Sequence, residues 1–213
     1  MDHVEQTIAT YDQIAPSYHL AATPENRAWL EESMREFFGR LPGRSVLVAG
    51  CGEGRDSRFL RDLGAHVVSF DLSTGMLAIA RAADPEGEYL QCDFRQARSI
   101  ERTFDGIWAS ACLYHLTKPE FRSCLADFRQ LLNPPGVLFL NLKLGAEAGF
   151  IEIPRDGYFG GDAAREKLVG SRYYAFYSRE ELDDYFSDFV IEKERRNIIA
   201  EGEGAMEFWL RKR

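Results

Sequence analysis

Three glycines and one carboxylate are spaced so that they could hold a nucleoside ligand. Gly50, Gly52 and Gly54 follow the continuous apolar run Val46–Ala49, which is typical of a parallel strand buried on both faces. Because glycine has no side chain, the backbone of this loop can approach a ligand closely. Asp71 ends a second apolar segment, and an acid in this position usually accepts hydrogen bonds from a ribose diol. The spacing therefore predicts a site for a ligand that carries adenosine or a similar nucleoside.

The elements around the loop form a strand, helix and strand unit. A helical pattern starts at Arg55 and Gly64 marks its C-terminal end, after which a second strand runs from Val67 to Asp71. A dinucleotide fingerprint requires the pattern G-x-G-x-x-G, but Arg55 stands where the third glycine should be. The loop spacing therefore disfavours a dinucleotide such as NAD.

The G-x-G-x-G loop resembles motif I of class I S-adenosylmethionine-dependent methyltransferases, and the resemblance covers most of the chain. It continues through FDLS, the helix start TGMLAIARA, the third strand YLQCDF, the fourth strand FDGIWASACLYHL and the segment NPPGVLFLNLK. Val48 stands where the family usually has an acid. The thiopurine and halide methyltransferase-like branch also lacks that acid, and Asp56 supplies one just after the glycines. The resemblance implies an enzyme that uses S-adenosylmethionine, releases S-adenosylhomocysteine and methylates a small molecule on O, N or S.

The same elements predict an α/β fold with a Rossmann-like, seven-stranded, mostly parallel sheet and helices on both faces. With 213 residues, the chain can bury one substantial core, so we expect a single domain. Helices are expected at about Val4 to Ala15 and about Glu25 to Arg40. The predicted segments are an N-terminal helical lid at 1–42, a cofactor-binding core at 43–143, a loop-rich substrate-binding insert at 144–178, and a C-terminal helix with an antiparallel strand pair at 179–213.

The predicted cofactor site lies beyond the carboxyl ends of the first four strands, where open parallel sheets bind their ligands. The resemblance implies that Asp93 accepts the adenine amino group, although an acid here could also serve only as a helix cap. YDQIAPSY resembles the Y-D-x-I-A-x-x-Y lid of small-molecule methyltransferases, so Tyr11 and Tyr18 are expected to close over the site, unless they are only half-buried packing. The predicted cofactor-binding residues are Tyr11, Tyr18, Gly50, Cys51, Gly52, Gly54, Asp56, Asp71, Leu72, Met76, Asp93, Phe94 and Ser110.

His115 and Tyr114, just after the fourth strand, are the predicted catalytic residues. An unperturbed histidine has a pKa of about 6.5, which suits proton removal near neutral pH. The histidine could instead cap the next helix or pack under the substrate loop, and the tyrosine could be core. A base is needed only for a hydroxyl or protonated amine acceptor; a carboxylate, thiolate, neutral amine or halide needs none.

The insert is dense in aromatic residues and is the predicted acceptor pocket. Its aromatic residues are Phe150, Tyr158, Phe159, Tyr173, Tyr174, Phe176 and Tyr177. The segment RYYAFYS resembles R-F-F-x-Y-Y-S of a small-molecule branch. Arg172, Lys143 and Arg155 could bind an acidic acceptor, but single cations near loops are usually solvated, and aromatic side chains suit an apolar or planar molecule equally well. The predicted substrate-binding residues are His115, Lys143, Arg172, Tyr173 and Tyr177.

Charge and cysteine usage restrict the remaining partners. The net charge of −8 argues against nucleic-acid binding, which needs concentrated Lys and Arg. The N-terminal sequence shows neither a signal peptide nor a membrane helix, so we expect a cytoplasmic protein without membrane contact. The four cysteines form no C-x-x-C pair, which favours reduced, buried thiols and no metal. A monomer or homodimer is expected.

Three other functions compete with this hypothesis. A nicotinamide-dependent oxidoreductase would share the strand, helix and ribose acid, but not the glycine spacing. A non-catalytic adenosyl-binding regulatory protein is compatible with Val48. A methyltransferase acting on RNA or protein is disfavoured by the acidic balance and by the small aromatic insert.

Overall fold

Nine strands of the described residues form one sheet, and helices cover both of its faces. The computed structural model describes residues 2–18, 28–145, 148–154, 168–200 and 203–213. The helices are α1 (His3–Tyr18), α2 (Ala28–Gly39), α3 (Arg55–Asp62), α4 (Thr74–Ala83), α5 (Lys118–Leu131) and α6 (Arg179–Tyr185). The strands are β1 (Ser45–Ala49), β2 (His66–Asp71), β3 (Glu88–Gln91), β4 (Phe104–Ala109), β5 (Leu132–Leu144), β6 (Ala148–Pro154), β7 (Leu168–Tyr177), β8 (Phe189–Ala200) and β9 (Glu203–Lys212). Short 3-10 segments at Phe94–Ile100 and Leu113–His115 follow β3 and β4.

The strand order confirms the α/β fold expected from the sequence. The sheet runs β3-β2-β1-β4-β5, all parallel, and at β5 it branches into β9-β8 on one side and, from the end of β5, into β7-β6. Strand β9 is antiparallel to both β5 and β8, which gives the predicted C-terminal strand pair. In a parallel sheet the carboxyl ends of the strands lie at one edge, so the loops after β1, β2, β3 and β4 meet there.

The core lies on both faces of the sheet, as the apolar strands require. Val46, Leu47, Val48 and Ala49 are at most 1% exposed, which fits a strand covered on both sides. On one face, Trp108 of β4 stacks on Phe139 of β5 with ring centroids 3.9 Å apart. These buried rings fix the spacing of the strands that carry the site.

The helix α5 that follows the site loop has a well-defined start. Thr117 accepts a hydrogen bond from the backbone of Glu120, and the Glu120 carboxylate accepts one back from the Thr117 backbone. This capping box begins the helix at Lys118, just after His115, so the segment between β4 and α5 is held at both ends.

The insert differs from the loop expected over 144–178. Its described residues form an antiparallel hairpin, in which β6 pairs with β7, and β7 also joins the end of β5. The aromatic residues that suggested a pocket are also strong strand formers, which explains the difference. Arg155, Tyr158 and Phe159 lie outside the described residues.

Two helix boundaries also differ from expectation. Helix α1 continues to Tyr18 instead of ending near Ala15, although Pro16 in its last turn lacks the N–H for one backbone hydrogen bond. Helix α2 is described from Ala28, so the predicted start at Glu25 lies outside the described residues. Among the described helices, none combines the length and apolarity needed to cross a membrane.

Candidate functional site

One cavity of about 360 Å³ opens at the carboxyl ends of the parallel strands, where the sequence predicts the site. Its volume is in the range of small-molecule pockets. The walls come from the loops after β1, β2, β3 and β4, from the ends of β5 and β7, and from α1 above them. The elements that the sequence assigned to the site therefore meet around one space.

The glycine loop after β1 forms one wall of this cavity. Gly50 and Gly52 have φ values of +67° and +52°, in the left-handed region that favours glycine. A Cβ on Gly50 would lie 2.6 Å from the Cβ of Cys112, whereas a Cβ on Gly52 would meet nothing within 4 Å. Gly50 therefore permits close packing beneath the site, and Gly52 faces open space where a ligand can approach the backbone.

Gly54 has a different role from the cofactor contact that the sequence predicted. It is buried, does not line the cavity, and forms the N-cap of α3 with φ +77°. A Cβ there would lie 2.8 Å from the Tyr89 hydroxyl and 3.0 Å from the Cβ of Ala80. The third glycine is needed for packing between the loop, β3 and α4, and this corrects its assignment.

Asp71, at the end of β2, is held in place by the backbone around it. Its Oδ2 accepts a hydrogen bond from the amide of Gly52 at 2.8 Å, and its Oδ1 accepts one from Ser73 at 2.9 Å. Burial raises the pKa of Asp71, although these backbone donors oppose the rise. Each oxygen of an ionised carboxylate has a further lone pair, so the group can still accept hydrogen bonds from a diol in the cavity.

Asp56 also lines the cavity, in the first turn of α3. Its Oδ1 accepts from Arg55 and its Oδ2 accepts from the indole N–H of Trp108 at 2.9 Å. Val48 is buried in β1 and cannot supply the polar contact that an acid would make from this position. The Asp56 carboxylate, just after the glycine loop, is therefore fixed by the indole of Trp108 in β4.

The loops after β2 and β3 form a narrow apolar part of the cavity with one acid at its edge. Leu72 and Met76 line it from one side, and Phe94 lines it from the other. The Phe94 ring packs edge-on against Phe70 at 5.1 Å. Asp93 caps the following 3-10 segment through Arg95 N at 2.8 Å and also binds the Arg95 side chain. Asp93 therefore both caps the 3-10 segment and lines the cavity.

The loop after β4 is held by a buried amide that the sequence analysis missed. Asn141 of β5 accepts a hydrogen bond from the amide of Ala111 at 2.6 Å, and its side-chain nitrogen donates to Ser110 at 3.3 Å. Ala111 has φ +56°, an uncommon conformation for a residue with a Cβ. The sequence signal for a structural role of Asn141 was the presence of a polar residue within the otherwise apolar run of β5. The loop, which carries Ser110 into the cavity, is thus kept in a strained shape.

His115 is fixed through both of its ring nitrogens. Nδ1 lies 2.6 Å from the carbonyl oxygen of Tyr173, and Nε2 lies 2.9 Å from the hydroxyl of Tyr11. A carbonyl can only accept, so Nδ1 carries the hydrogen, and Nε2 accepts from Tyr11. Burial lowers the pKa of His115 to about 3, with the hydrogen bond to Tyr173 opposing the shift. The ring is therefore neutral near pH 7.

Tyr114 and Tyr174 line the cavity as a stacked pair. Their ring centroids are 5.4 Å apart with an angle of 21° between the planes. Lys143 Nζ lies 5.5 Å from the Tyr114 centroid and 5.4 Å from that of Tyr174. The Arg172 guanidinium lies 5.6 Å from Tyr174 and 4.8 Å from Tyr11. The structure thus brings both predicted cations to the cavity wall, beside aromatic faces that attract them.

Helix α1 covers the cavity and is attached to the elements below it. Asp12 accepts hydrogen bonds from Ser73 Oγ at 2.5 Å and from the amide of Gly75 at 2.9 Å. Thr10 donates to the carbonyl of Ser171 in β7 at 2.9 Å. Tyr11 and Tyr18 both line the cavity from this helix. Asp12, within the lid motif, is a further residue whose role the sequence analysis missed.

The predicted lid at 1–42 therefore divides into two parts. Helix α1 lies over the cavity, whereas most of α2 packs on the sheet, with Phe37 in contact with Trp108 at 5.3 Å. Only Trp29 and Leu30 of α2 reach the cavity. Helix α2 is mainly a core helix.

Two predicted substrate-binding side chains lie outside the cavity. Tyr177 is fully buried against Phe121 and Tyr185, and the Tyr173 ring packs on His3 and Phe150. Side chains alternate along a strand, so Arg172 and Tyr174 face the cavity and the odd-numbered neighbours face away. Neither side chain lines the cavity, so their predicted contacts with a substrate stay predictions, whereas the Tyr173 carbonyl holds His115. Tyr174 was named among the aromatic residues of the predicted acceptor pocket but not among the substrate-binding residues, and the alternation of RYYAFY was the signal that it faces the cavity.

All four cysteines are free thiols. Cys51, Cys112 and Cys124 are buried, and Cys92 is half-buried. Cys51 lines the cavity as predicted, and burial raises its pKa well above the ordinary value. It is therefore a protonated thiol near neutral pH.

Comparisons with known proteins agree with this architecture. Residues 46–136 match a family model described as a methyltransferase domain. A malonyl-[acyl-carrier protein] O-methyltransferase of Enterobacter lignolyticus is 31% identical over 133 residues, which are 61% of this chain and 50% of that protein. The chain spans about half the length of the curated relatives it matches.

Solved structures extend the likeness to the whole fold. The CcbJ methyltransferase from Streptomyces caelestis has a TM-score of 0.76 and 18% identity, covering 100% of this chain and 99% of that one. The 1,6-didemethyltoxoflavin-N1-methyltransferase of Burkholderia thailandensis, which was solved with S-adenosylhomocysteine, has a TM-score of 0.66 and 18% identity, covering 100% and 90%. At these identities the likeness establishes the fold.

Proposed function

Because the chain belongs to the class I S-adenosylmethionine-dependent methyltransferase family, we propose that it transfers a methyl group from S-adenosylmethionine to a small-molecule acceptor. One observation carries the proposal. Gly52 and Asp71 are hydrogen-bonded to each other on the wall of one cavity, and the space in front of Gly52 is open. A fixed carboxylate beside an accessible backbone matches what a nucleoside with a ribose diol requires.

The residues around this pair fit the remainder of the donor. Leu72, Met76 and Phe94 offer apolar surface for the adenine, and Asp93 lies at the edge of the same slot, where it could accept from the amino group. Gly50, Cys51 and Gly52 would flank the methionyl part. Asp56 is the carboxylate available for the methionine amine, since Val48 is buried in β1. Ser110 lies on the next loop, toward the acceptor side.

S-adenosylmethionine supplies an electrophilic methyl group on a sulfonium, which a nucleophile displaces in line. The tasks left to the chain are alignment and exclusion of water. Helix α1 performs the second task by covering the cavity with Tyr11 and Tyr18. Lys143, Arg172 and the stacked Tyr114 and Tyr174 would contact the acceptor at the end of the cavity formed by β4, β5 and β7.

His115 is proposed as a positioning residue and not as the base that the sequence suggested. Its Nε2 already accepts from Tyr11, and its low pKa makes the neutral ring a weak proton acceptor. Burial also raises the pKa of Tyr114 well above its ordinary value, so this phenol keeps its proton near pH 7. We propose that His115 orients the Tyr11 hydroxyl and that Tyr114 forms the aromatic wall.

A small acceptor is favoured by the enclosure of the cavity. Helix α1 lies over the cavity and is hydrogen-bonded to α4 and β7. The covered cavity suits a molecule of limited size. The similar proteins of Enterobacter lignolyticus and Burkholderia thailandensis act on malonyl-[acyl-carrier protein] and on 1,6-didemethyltoxoflavin, respectively. Location in the cytoplasm and a monomeric or homodimeric state stay predictions from the sequence.

Calorimetric titration of the purified chain tests the donor assignment. We expect S-adenosylmethionine and S-adenosylhomocysteine to bind with one site per chain, and NAD not to bind. Binding of NAD in preference to the other two would replace the proposal with an oxidoreductase, and absence of all three interactions would remove the nucleoside site. Binding without methylation in any acceptor class would favour a regulatory protein.

A further inference from the structure

Among the residues that the structure describes, the acceptor end of the cavity offers no obvious base, because its histidine is engaged on both sides. The carbonyl of Tyr173 holds the Nδ1 hydrogen of His115, and Tyr11 donates to Nε2. To take a proton from an acceptor, the ring would have to lose the Tyr11 bond and become an imidazolium in a desolvated place. Burial opposes that charge and lowers the pKa of His115 to about 3.

The other titratable groups near this end hold their protons or are engaged elsewhere. Burial raises the pKa of Tyr11, Tyr114 and Cys112 well above their ordinary values. Asp71 and Asp93 lie on the loops after β2 and β3, where backbone amides and Arg95 bind them. An acceptor that must lose a proton during transfer is therefore poorly served by these groups.

Two cations lie on the same wall and meet at one aromatic ring. Arg172 is 4% exposed, and its guanidinium contacts the faces of Tyr11 and Tyr174. Lys143 Nζ lies over the rings of Tyr114 and Tyr174, so the two charges share Tyr174. By contrast, the carboxylates that the described residues contribute to the cavity wall, Glu53, Asp56, Asp71 and Asp93, all lie on the loops after β1, β2 and β3. Within the described part of the chain, the cavity therefore has an acidic donor end and a basic acceptor end.

We propose that the acceptor is a small carboxylic acid, which enters as its carboxylate beside Arg172 and Lys143 and leaves as a methyl ester. This inference rests on the proposed function and names the substrate class of the same site. Carboxylates are ionised near pH 7 and need no base, and a planar carboxylate suits the fork of an arginine side chain. A neutral amine would also need no base, but two cations disfavour the positive charge that it acquires.

The transfer step balances without a proton acceptor. One carboxylate oxygen forms a bond to the methyl carbon, the bond between that carbon and sulfur breaks, and its electron pair stays on sulfur. The negative charge of the acid and the positive charge of the sulfonium disappear together. Arg172 and Lys143 would bind the ionised acid and then release the neutral ester more readily.

The test compares matched ligands on the chain saturated with S-adenosylhomocysteine. The probes are benzoate, phenylacetate and hexanoate, each paired with its amide, and benzylamine as a cation. Calorimetry should show at least one acid binding about 10-fold or more tightly than its amide, as expected when hydrogen bonds to a charged group are lost. With methyl-labelled S-adenosylmethionine, the same acid should yield label that alkali releases as methanol, which is diagnostic of an ester.

Variants then assign the effect to the basic wall. Arg172→Gln should lower the affinity for the acid about 10- to 100-fold, and Arg172→Lys should retain part of it. Affinity for S-adenosylhomocysteine should stay within about 2-fold of wild type, which also shows that the variants fold. Arg102→Gln is the matched control, because this half-exposed arginine pairs with Glu88 before β4, at the opposite edge of the sheet.

Failure of the proposed function and failure of the carboxylate inference would give different results. Failure to bind S-adenosylhomocysteine would contradict the proposed function itself. Normal binding of S-adenosylhomocysteine with equal affinities for acids and amides, or with no binding of any acid, would overturn the carboxylate inference alone. An acid preference that survives Arg172→Gln and Lys143→Gln would also overturn it, because the basic wall would not be its cause.

Discussion

The hydroxyl of Tyr11 lies 2.9 Å from Nε2 of His115, so helix α1 and the segment after β4 are joined by one hydrogen bond across the cavity. The second ring nitrogen of His115 binds the Tyr173 carbonyl in β7 at 2.6 Å. Three segments that are distant in sequence thus meet at one imidazole. A change in the charge or orientation of the His115 ring would therefore affect both helix α1, which covers the cavity, and strand β7, which lines it.

His115 is expected to remain neutral from about pH 8 to pH 5, where most histidines titrate. Its folded pKa of about 3 lies below the unfolded value of about 6.5, so the unfolded chain binds more protons between these limits. The contribution of this group to stability therefore rises with pH through that window and is fully present above about pH 6.5. Long-range nitrogen spectra of the imidazoles, with exposed His66 as the reference signal, report the tautomer and charge. An imidazolium signal for His115 near pH 6 would contradict the geometry.

Tyr11→Phe should lower the free energy of unfolding by about 0.5–1.5 kcal/mol, because it removes the hydrogen bond to His115 while the ring stays beside Arg172. The Nε2 resonance of His115 should shift at the same time. Tyr18→Phe is the matched control on the same helix, since the Tyr18 side chain is 38% exposed. Urea denaturation measures both variants. Equal losses in the two would show that the bond to His115 has no special weight.

Asp71→Asn should weaken binding of S-adenosylhomocysteine about 10- to 100-fold, as expected for lost hydrogen bonds to a charged group. An amide cannot accept from both Gly52 and Ser73 and from a ribose at once, since its nitrogen is a donor. Calorimetry gives the affinity, and Asp62→Asn, an exposed acid at the end of α3, is the control. Unchanged affinity would remove the ribose assignment.

Gly52→Ala and Gly54→Ala should separate ligand binding from folding. Both glycines have positive φ, but a Cβ on Gly54 would also lie 2.8 Å from the Tyr89 hydroxyl inside the protein. We expect Gly54→Ala to cause the larger loss of stability, and Gly52→Ala to cause the larger loss of affinity for S-adenosylhomocysteine. Thermal melting and calorimetry on both variants provide the comparison. The reverse ranking would mean that the cavity face of the loop has been misassigned.

Local patterns placed most of the predicted donor-binding residues around one cavity. The apolar run of β1, the glycines after it and the acid at the end of β2 are neighbours in sequence, and parallel strands bring their carboxyl ends together. The structure places Gly52 and Asp71 within one hydrogen bond of each other. Gly54 was misassigned because glycine spacing does not show whether a missing side chain makes room for a ligand or for the protein.

The acceptor half depended on contacts between distant segments. Aromatic density in the insert suggested Tyr173 and Tyr177, but only strand alternation shows that Arg172 and Tyr174 are the residues facing the cavity. The pKa of His115 depends on its burial between α1, β7 and the segment after β4. The pKa of an unperturbed histidine, on which the sequence prediction relied, therefore did not apply. The hydrogen bond to Tyr11 could not be foreseen, because it requires α1 to fold over the sheet.

The division of charge inside the cavity is also a division along the chain. The acidic wall comes from residues before 95, within the stretch that matches the family model, whereas Lys143 and Arg172 lie beyond its end at residue 136. Substitutions on β5 and β7 can therefore change which acceptor is recognised while the donor loops keep their sequence. Acceptor preference in this architecture can diverge, or be redesigned, by exchanging the end of one strand and one hairpin.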